Sequence, residues 1–191
     1  MKRIDKENYY LDIAETVLER STCLRRGYGA IIVKNDEIVS TGYNGAPRGR
    51  KNCMDLGYCT REAMNVPSGE RYELCRSVHA EMNAIISAAR SECIGGTIYL
   101  AGRDVATGEL IPDLLPCPMC RRMIINAGLS KIVIRRTPST YDILNVQDWV
   151  FHDDSVIDPS ESGEQQTLCI PVRKLPAFLA SINPKKVAPE L

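Results

Sequence analysis

From Asp5 to Ser21 apolar residues recur at three- and four-residue spacing, with Tyr9, Ile13 and Val17 on one face and Ala14 and Leu18 beside them. That period predicts an amphipathic helix. The stretch "YGAIIVKNDEIVSTGYNG" changes to two β-rich runs around the polar Asn35-Asp36-Glu37, a hairpin pattern. Residues 78 to 90 return to a helical pattern that stops before "IGG". A strand "TIYLAG", a loop over residues 103–115, a helix over "CPMCRRMIINAG" closed by Gly128, and a strand "KIVIRR" follow. Strand and helix alternate, which predicts an α/β architecture.

Two regions lack a clear period. Gly45 to Ser77 is rich in Gly, Pro, charge and cysteine, and a loop of that length needs something other than apolar burial to hold it. Beyond Thr137, "STYDILNVQDWVFHDD" and "TLCIPV" are candidates for further strands, "LPAFLASI" for a short helix, and "NPKKVAPEL" for a mobile tail. The chain is therefore expected to be a single domain over 1–191, with a Cys-rich insertion at about 45–77 and an extension from about 137.

Composition narrows the partners. The 191 residues carry 24 basic and 24 acidic side chains, so no global field attracts a polynucleotide or an anionic membrane. A small-molecule substrate is favoured over nucleic acid. The absence of a bilayer-length apolar run and of an apolar leader makes the cytoplasm the expected compartment. There the eight cysteines read as metal ligands and not as disulfides.

Two short motifs carry chemistry. "PCPMC" places Cys117 and Cys120 at the start of a predicted helix, and "HAE" places Glu81 two residues after His79. Alone, the Cys pair fits a redox motif or half of a structural zinc site as well as a catalytic one. Together they match His-x-Glu followed by Pro-Cys-x-x-Cys, the zinc deaminase signature. His79, Cys117 and Cys120 supply the three protein ligands of a catalytic zinc and leave one position for water. Glu81 follows the ligand without facing the same way, which suits a general acid and base. The competing reading is a structural zinc with an incidental glutamate.

With "GAIIVKNDEIVSTGYNGAPRG", "HAEMNAI" and "PCPMCRRMIINAG" taken together, the chain resembles the cytidine/deoxycytidylate deaminase superfamily, and more closely its deoxycytidylate (dCMP) deaminase branch. The resemblance covers most of residues 20 to 136. It implies a three-layer αβα fold around a mainly five-stranded mixed sheet, and zinc-dependent conversion of dCMP to dUMP. It further implies a substrate-sugar contact at Asn44, a pyrimidine-carbonyl contact at the Ala80 amide, homo-oligomers such as hexamers, and dCTP and dTTP as effectors. Asn44 has a second reading, because Gly42, Asn44 and Gly45 also suit a turn with positive backbone angles. Arg25, Arg26, Arg48 and Arg50 are the candidate cations for a substrate phosphate.

Cys23 and Cys53 match cysteines of a second, structural zinc site in some dCMP deaminases, and Cys59 and Cys75 would complete a closed four-thiolate site here. The alternative is four scattered, reduced thiols. Cys93 and Cys169 are expected in the core, and His152 as structural or exposed. The loop after "TIYLAG" is longer than in many relatives, and its Asp104, Glu109 and Asp113 bring negative charge that would repel a phosphate or favour another amine. Rival functions are thus a deaminase of another nucleoside, nucleotide or free base, and a non-catalytic zinc or nucleotide-binding module.

Overall fold

The computed structural model of the chain describes residues 3–67 and 70–151. These fall within one compact unit, Met1–Ser155. The readings at "TLCIPV", "LPAFLASI", "NPKKVAPEL", His152 and Cys169 lie outside the described residues.

A five-stranded mixed sheet forms from β1 (Arg26–Lys34), β2 (Glu37–Tyr43), β3 (Thr97–Asp104), β4 (Lys131–Thr137) and β5 (Thr140–Asn145), in the order β2-β1-β3-β4-β5. Only β3 and β4 run parallel. The first hairpin closes through Asn35 and Asp36 alone, both at positive φ, 51° and 69°. Such a two-residue turn matches the strands' twist, so Glu37 belongs to β2 and not to the turn.

Alternation along the inner strands builds two cores. Ala30, Ile32, Ile98, Leu100, Ile132 and Ile134 face one side. Ile31, Val33, Tyr99, Ala101 and Val133 face the other. Both faces are covered, so these strands read as continuous apolar runs. One cover is α1 (Lys6–Leu18). The other comprises α4 (Ala80–Ile86), α5 (Arg90–Cys93), α6 (Pro118–Ala127) and α7 (Val146–Phe151), while the insertion holds the short α2 (Cys53–Leu56) and α3 (Thr60–Ala63). The three layers and five strands agree with the sequence reading.

Three details differ from it. In α1 the buried face is Asn8, Tyr10, Leu11, Ala14 and Leu18, and Tyr9 is half exposed. Buried Arg135 turns the helix: it bonds Asn8 and pairs with Asp12 and Glu15, so that polar ridge must face the sheet. The helix expected over 78–90 divides, because the Glu92 carboxylate accepts the Ala89 N–H and starts α5 anew. "STYDILNVQDWVF" yields one strand and then α7, not strand throughout.

Gly42 explains how α4 approaches. A Cβ there would lie 2.3 Å from the Ala80 carbonyl and the Ala84 amide, so only glycine lets the helix rest on β2.

Candidate active site

The site forms where β3 ends beside the start of β1. Their antiparallel register sets Arg26 opposite Asp104, so the segment leaving β3 toward α6 passes the β1 edge. Helix α6 begins with Cys117 as N-cap, Pro118 in the first turn and Cys120 behind it. Pro suits that position because its missing N–H has no partner there anyway. His79 is the N-cap of α4, which packs against α6. Two helix N-termini thus converge, and their dipoles favour thiolate.

Residues 38 and 41 apart in sequence meet here. His79 Nδ1 lies 3.4 Å from the Sγ atoms of both Cys117 and Cys120. All three ligand atoms fall within 4.8 Å of one another. A tetrahedral zinc bonded at about 2.3 Å to sulfur and about 2.1 Å to nitrogen sets such atoms roughly 3.6 Å apart, so the donor set fits that ion. A hydrogen bond from Cys120, with His79 adding to it, pulls the Cys117 thiol down to about 4. Sharing that proton with Cys117, together with burial, pushes Cys120 up. One thiolate is therefore ready beside the imidazole.

Glu81, in the first turn of α4, is 6% exposed. Burial raises its pKa, and His79 opposes the rise. A carboxyl whose burial favours the protonated form is suited to take up a proton as well as to release one.

The cavity in front of His79 is lined by Arg25, Arg26, Tyr28, Asn44, Glu81 and Cys117, with Cys23, Cys59, Arg61, Tyr72, Cys75, Ser77, Leu114 and Leu115 completing its wall. Asn44 is not in a positive-φ turn; neither it nor Gly42 nor Gly45 has that geometry. Instead its Oδ1 accepts from the Tyr28 amide at 2.7 Å and its Nδ2 donates to the Arg26 carbonyl at 2.8 Å. The side chain is fixed against β1, with one Nδ2 proton left over. Ala80 is the first residue of α4, so its N–H is a helix-start donor without an intrahelical acceptor.

Among the arginines, Arg25 pairs with Glu62 at 2.9 Å. Arg26 lines the cavity beside the Tyr28 side chain, whose hydroxyl raises the Arg26 pKa. Arg48 and Arg50 are exposed and do not line it. Nor do Asp104, Glu109 or Asp113, whereas Leu114 and Leu115 from the same segment do. Asp104 turns its carboxylate onto the Ala106 and Thr107 amides, so its charge is held by its own loop and not presented to the pocket.

The insertion closes on itself. Gly45 and Val78 exchange both backbone hydrogen bonds, at 3.2 and 2.8 Å, and clasp the two ends of the segment. Within it, Cys53 is buried and feels the charges of Cys23, Cys59 and Cys75, which with burial raise its pKa. These four thiols are neighbours, but they do not gather as tightly as His79, Cys117 and Cys120. Cys93 is in the core, as expected. Arg61, Tyr28, Tyr72 and Ser77 were not legible as site residues, since Tyr28 reads as one more residue of an apolar strand and the other three fall in a segment with no periodic signal.

Residues 4–136 match the family model described as the cytidine and deoxycytidylate deaminase zinc-binding region. A deoxycytidylate deaminase of Mycobacterium phage D29 is 36% identical over 138 residues, covering 70% of this chain and 96% of the relative. That of Schizosaccharomyces pombe is 32% identical over 127 residues, covering 66% of this chain but only 36% of the relative's length. A solved dCMP deaminase from the cyanophage S-TIM5 is 28% identical with a TM-score of 0.48, covering 71% of this chain and 85% of that one. On its sequence, the chain belongs to the cytidine and deoxycytidylate deaminase family with its zinc-binding region.

Proposed function

We propose that the chain is a hydrolase that deaminates dCMP to dUMP and ammonia, with zinc held by His79, Cys117 and Cys120 and Glu81 as proton carrier. The observation that carries this reading is the gathering of the His79, Cys117 and Cys120 ligand atoms within 4.8 Å of one another, at a cavity that His79, Cys117 and Glu81 line. Deoxycytidylate deaminases among the relatives support the substrate. When bound, zinc supplies a water acidified to about pKa 7 as nucleophile.

The remaining work falls to the protein. Glu81 accepts a proton from the attacking water, passes it to the ring nitrogen beside the amino-bearing carbon, and then carries the second water-derived proton, released as the new hydroxyl becomes a carbonyl, to the departing amine. A carbon–oxygen bond forms, a carbon–nitrogen bond breaks, and ammonia leaves. The Ala80 N–H holds the pyrimidine carbonyl, and the spare Nδ2 proton of Asn44 meets the sugar. Arg26 offers charge at the cavity edge. Arg25 is engaged by Glu62, and Arg48 stands away from the lining.

Cys23, Cys53, Cys59 and Cys75 hold a second, structural zinc that ties the insertion to the segment after α1. Their neighbourhood around Cys53 supports this reading. Metal analysis is expected to give two zinc ions per chain; one would restrict zinc to the catalytic site. A cytoplasmic homo-oligomer regulated by dCTP and dTTP completes the proposal, and light scattering with and without each nucleotide tests it. No helix among the described residues is long and apolar enough to cross a membrane.

Ammonia release from dCMP, CMP, deoxycytidine, cytidine and cytosine tests the substrate. Turnover of cytidine or cytosine with none of dCMP would overturn the assignment. Glu81→Gln is expected to keep its zinc and lose about 10²- to 10⁴-fold in kcat. Full activity in that variant would remove the proton-carrier role.

A further inference from the structure

Arg61 comes from α3, inside the insertion, yet it is 7% exposed and lines the catalytic cavity. Its Nη2 donates to the Pro67 carbonyl at 2.7 Å and the Glu70 carbonyl at 2.5 Å. Its Nε is buried without a partner, and Nη1 makes no hydrogen bond to a described residue. No carboxylate among the described residues pairs with it. A buried cation without an anion is costly, and proteins seldom keep one unless something else supplies the charge.

Part of that compensation is aromatic. The guanidinium lies 5.0 Å from the Tyr72 ring centroid, and Tyr72 in turn meets the His79 ring edge-on at 5.2 Å. A single ring therefore separates the cation from the metal-binding imidazole. Of the neighbouring cations, Arg25 is engaged by Glu62, and Arg26 stands at the cavity edge beside Tyr28. Two main-chain carbonyls fix the Arg61 fork in place, so it meets an anion without losing side-chain freedom.

We propose that Arg61 is a specificity-determining residue whose guanidinium receives the phosphate of a nucleoside monophosphate in the catalytic cavity. The inference rests on the nucleotide reading of that cavity. The insertion then has a role in recognition: it carries a phosphate-binding cation to a site whose metal ligands come from α4 and α6. Tyr72 lies between the two functions, with one face toward Arg61 and an edge contact with His79.

Calorimetry with dUMP and deoxyuridine, on zinc-loaded wild type, Arg61→Gln and Arg61→Lys, tests the proposal. Wild type is expected to bind dUMP more tightly than deoxyuridine. Arg61→Gln should weaken dUMP by about 10- to 100-fold and deoxyuridine by much less, as loss of a charged hydrogen bond predicts. Arg61→Lys should recover part of the loss, because it keeps the charge but not the fork. Equal weakening of both ligands, with zinc lost from Arg61→Gln, would make Arg61 a structural support of the insertion and overturn the proposal. Wild type that binds dUMP no better than deoxyuridine would overturn it as well. Phosphate-selective binding that depends on Arg61, in an enzyme that does not turn over dCMP, would support Arg61 while rejecting the functional reading.

Discussion

The sheet buries alternating side chains of β1, β3 and β4 in two apolar clusters, whereas the segment from Gly45 to Val78 contributes no residue to either. It is held by a two-bond clasp, two helices of four residues each, and a buried arginine that bonds main-chain carbonyls. Helices that short are not stable by themselves. The scaffold draws its order from removing apolar surface from water, and the insertion from polar contacts that depend on geometry. Because both regions line the cavity, the site depends on two kinds of stability that should fail separately.

Removing metal is expected to have the largest effect. Treatment with a strong chelator should reduce deamination to background and open the insertion to trypsin at Lys51, Arg61, Arg71 or Arg76, while the sheet keeps its circular dichroism. Mass spectrometry of the fragments locates the cuts. Cleavage starting within β1 or β3 would show that the two regions share one stability.

Leu11→Ala breaks the scaffold instead. Leu11 is fully buried in the α1 core, so the truncation should cost about 2–5 kcal/mol. For a chain of this size that lowers the melting temperature by roughly 5–15 °C. Zinc content below the transition should be unchanged. Loss of zinc at 20 °C would mean that the α1 face supports the metal directly.

Cys53→Ser sharpens the comparison from the other side. It should lose one zinc per chain and expose the insertion to protease, yet shift the main melting transition by less than about 4 °C. A shift as large as that of Leu11→Ala would place Cys53 within the scaffold's cooperative unit.

The two regions were also unequally legible in the sequence. Continuous apolar runs such as "GAIIV" and "KIVIRR" mark strands buried on both faces, because both cores demand apolar partners. His79, Cys117 and Cys120 were legible through spacing, since a metal restricts which residue types can approach it. The rotation of α1 was not, because it is set by Arg135, 123 residues beyond Asp12 in the chain. Arg61 was not either: its burial depends on where the Gly45–Val78 clasp folds a polar loop, and no local pattern encodes that.

The smallest expected effect concerns pH. Burial, followed by the hydrogen bond from its hydroxyl to Asp36, pushes Tyr10 up to about 12, and burial pushes Tyr99 to about 12 as well. Their rings lie 5.0 Å apart in the α1 core. An unfolded tyrosine ionises near 10, so the folded state holds these protons more tightly. The resulting stability is fully present below pH 10 and is lost as pH rises through about 12. Alkaline melts should show tyrosinate absorbance appearing together with loss of helix signal. Tyr10→Phe should flatten that slope while giving up about 1 kcal/mol from the lost hydrogen bond at neutral pH. An unchanged alkaline slope in that variant would move the titration elsewhere. If the insertion then became protease-sensitive at the same pH as the sheet unfolds, and not before, the two regions would be coupled through β1, the strand whose first residues line the cavity and whose last carry the Tyr10 face.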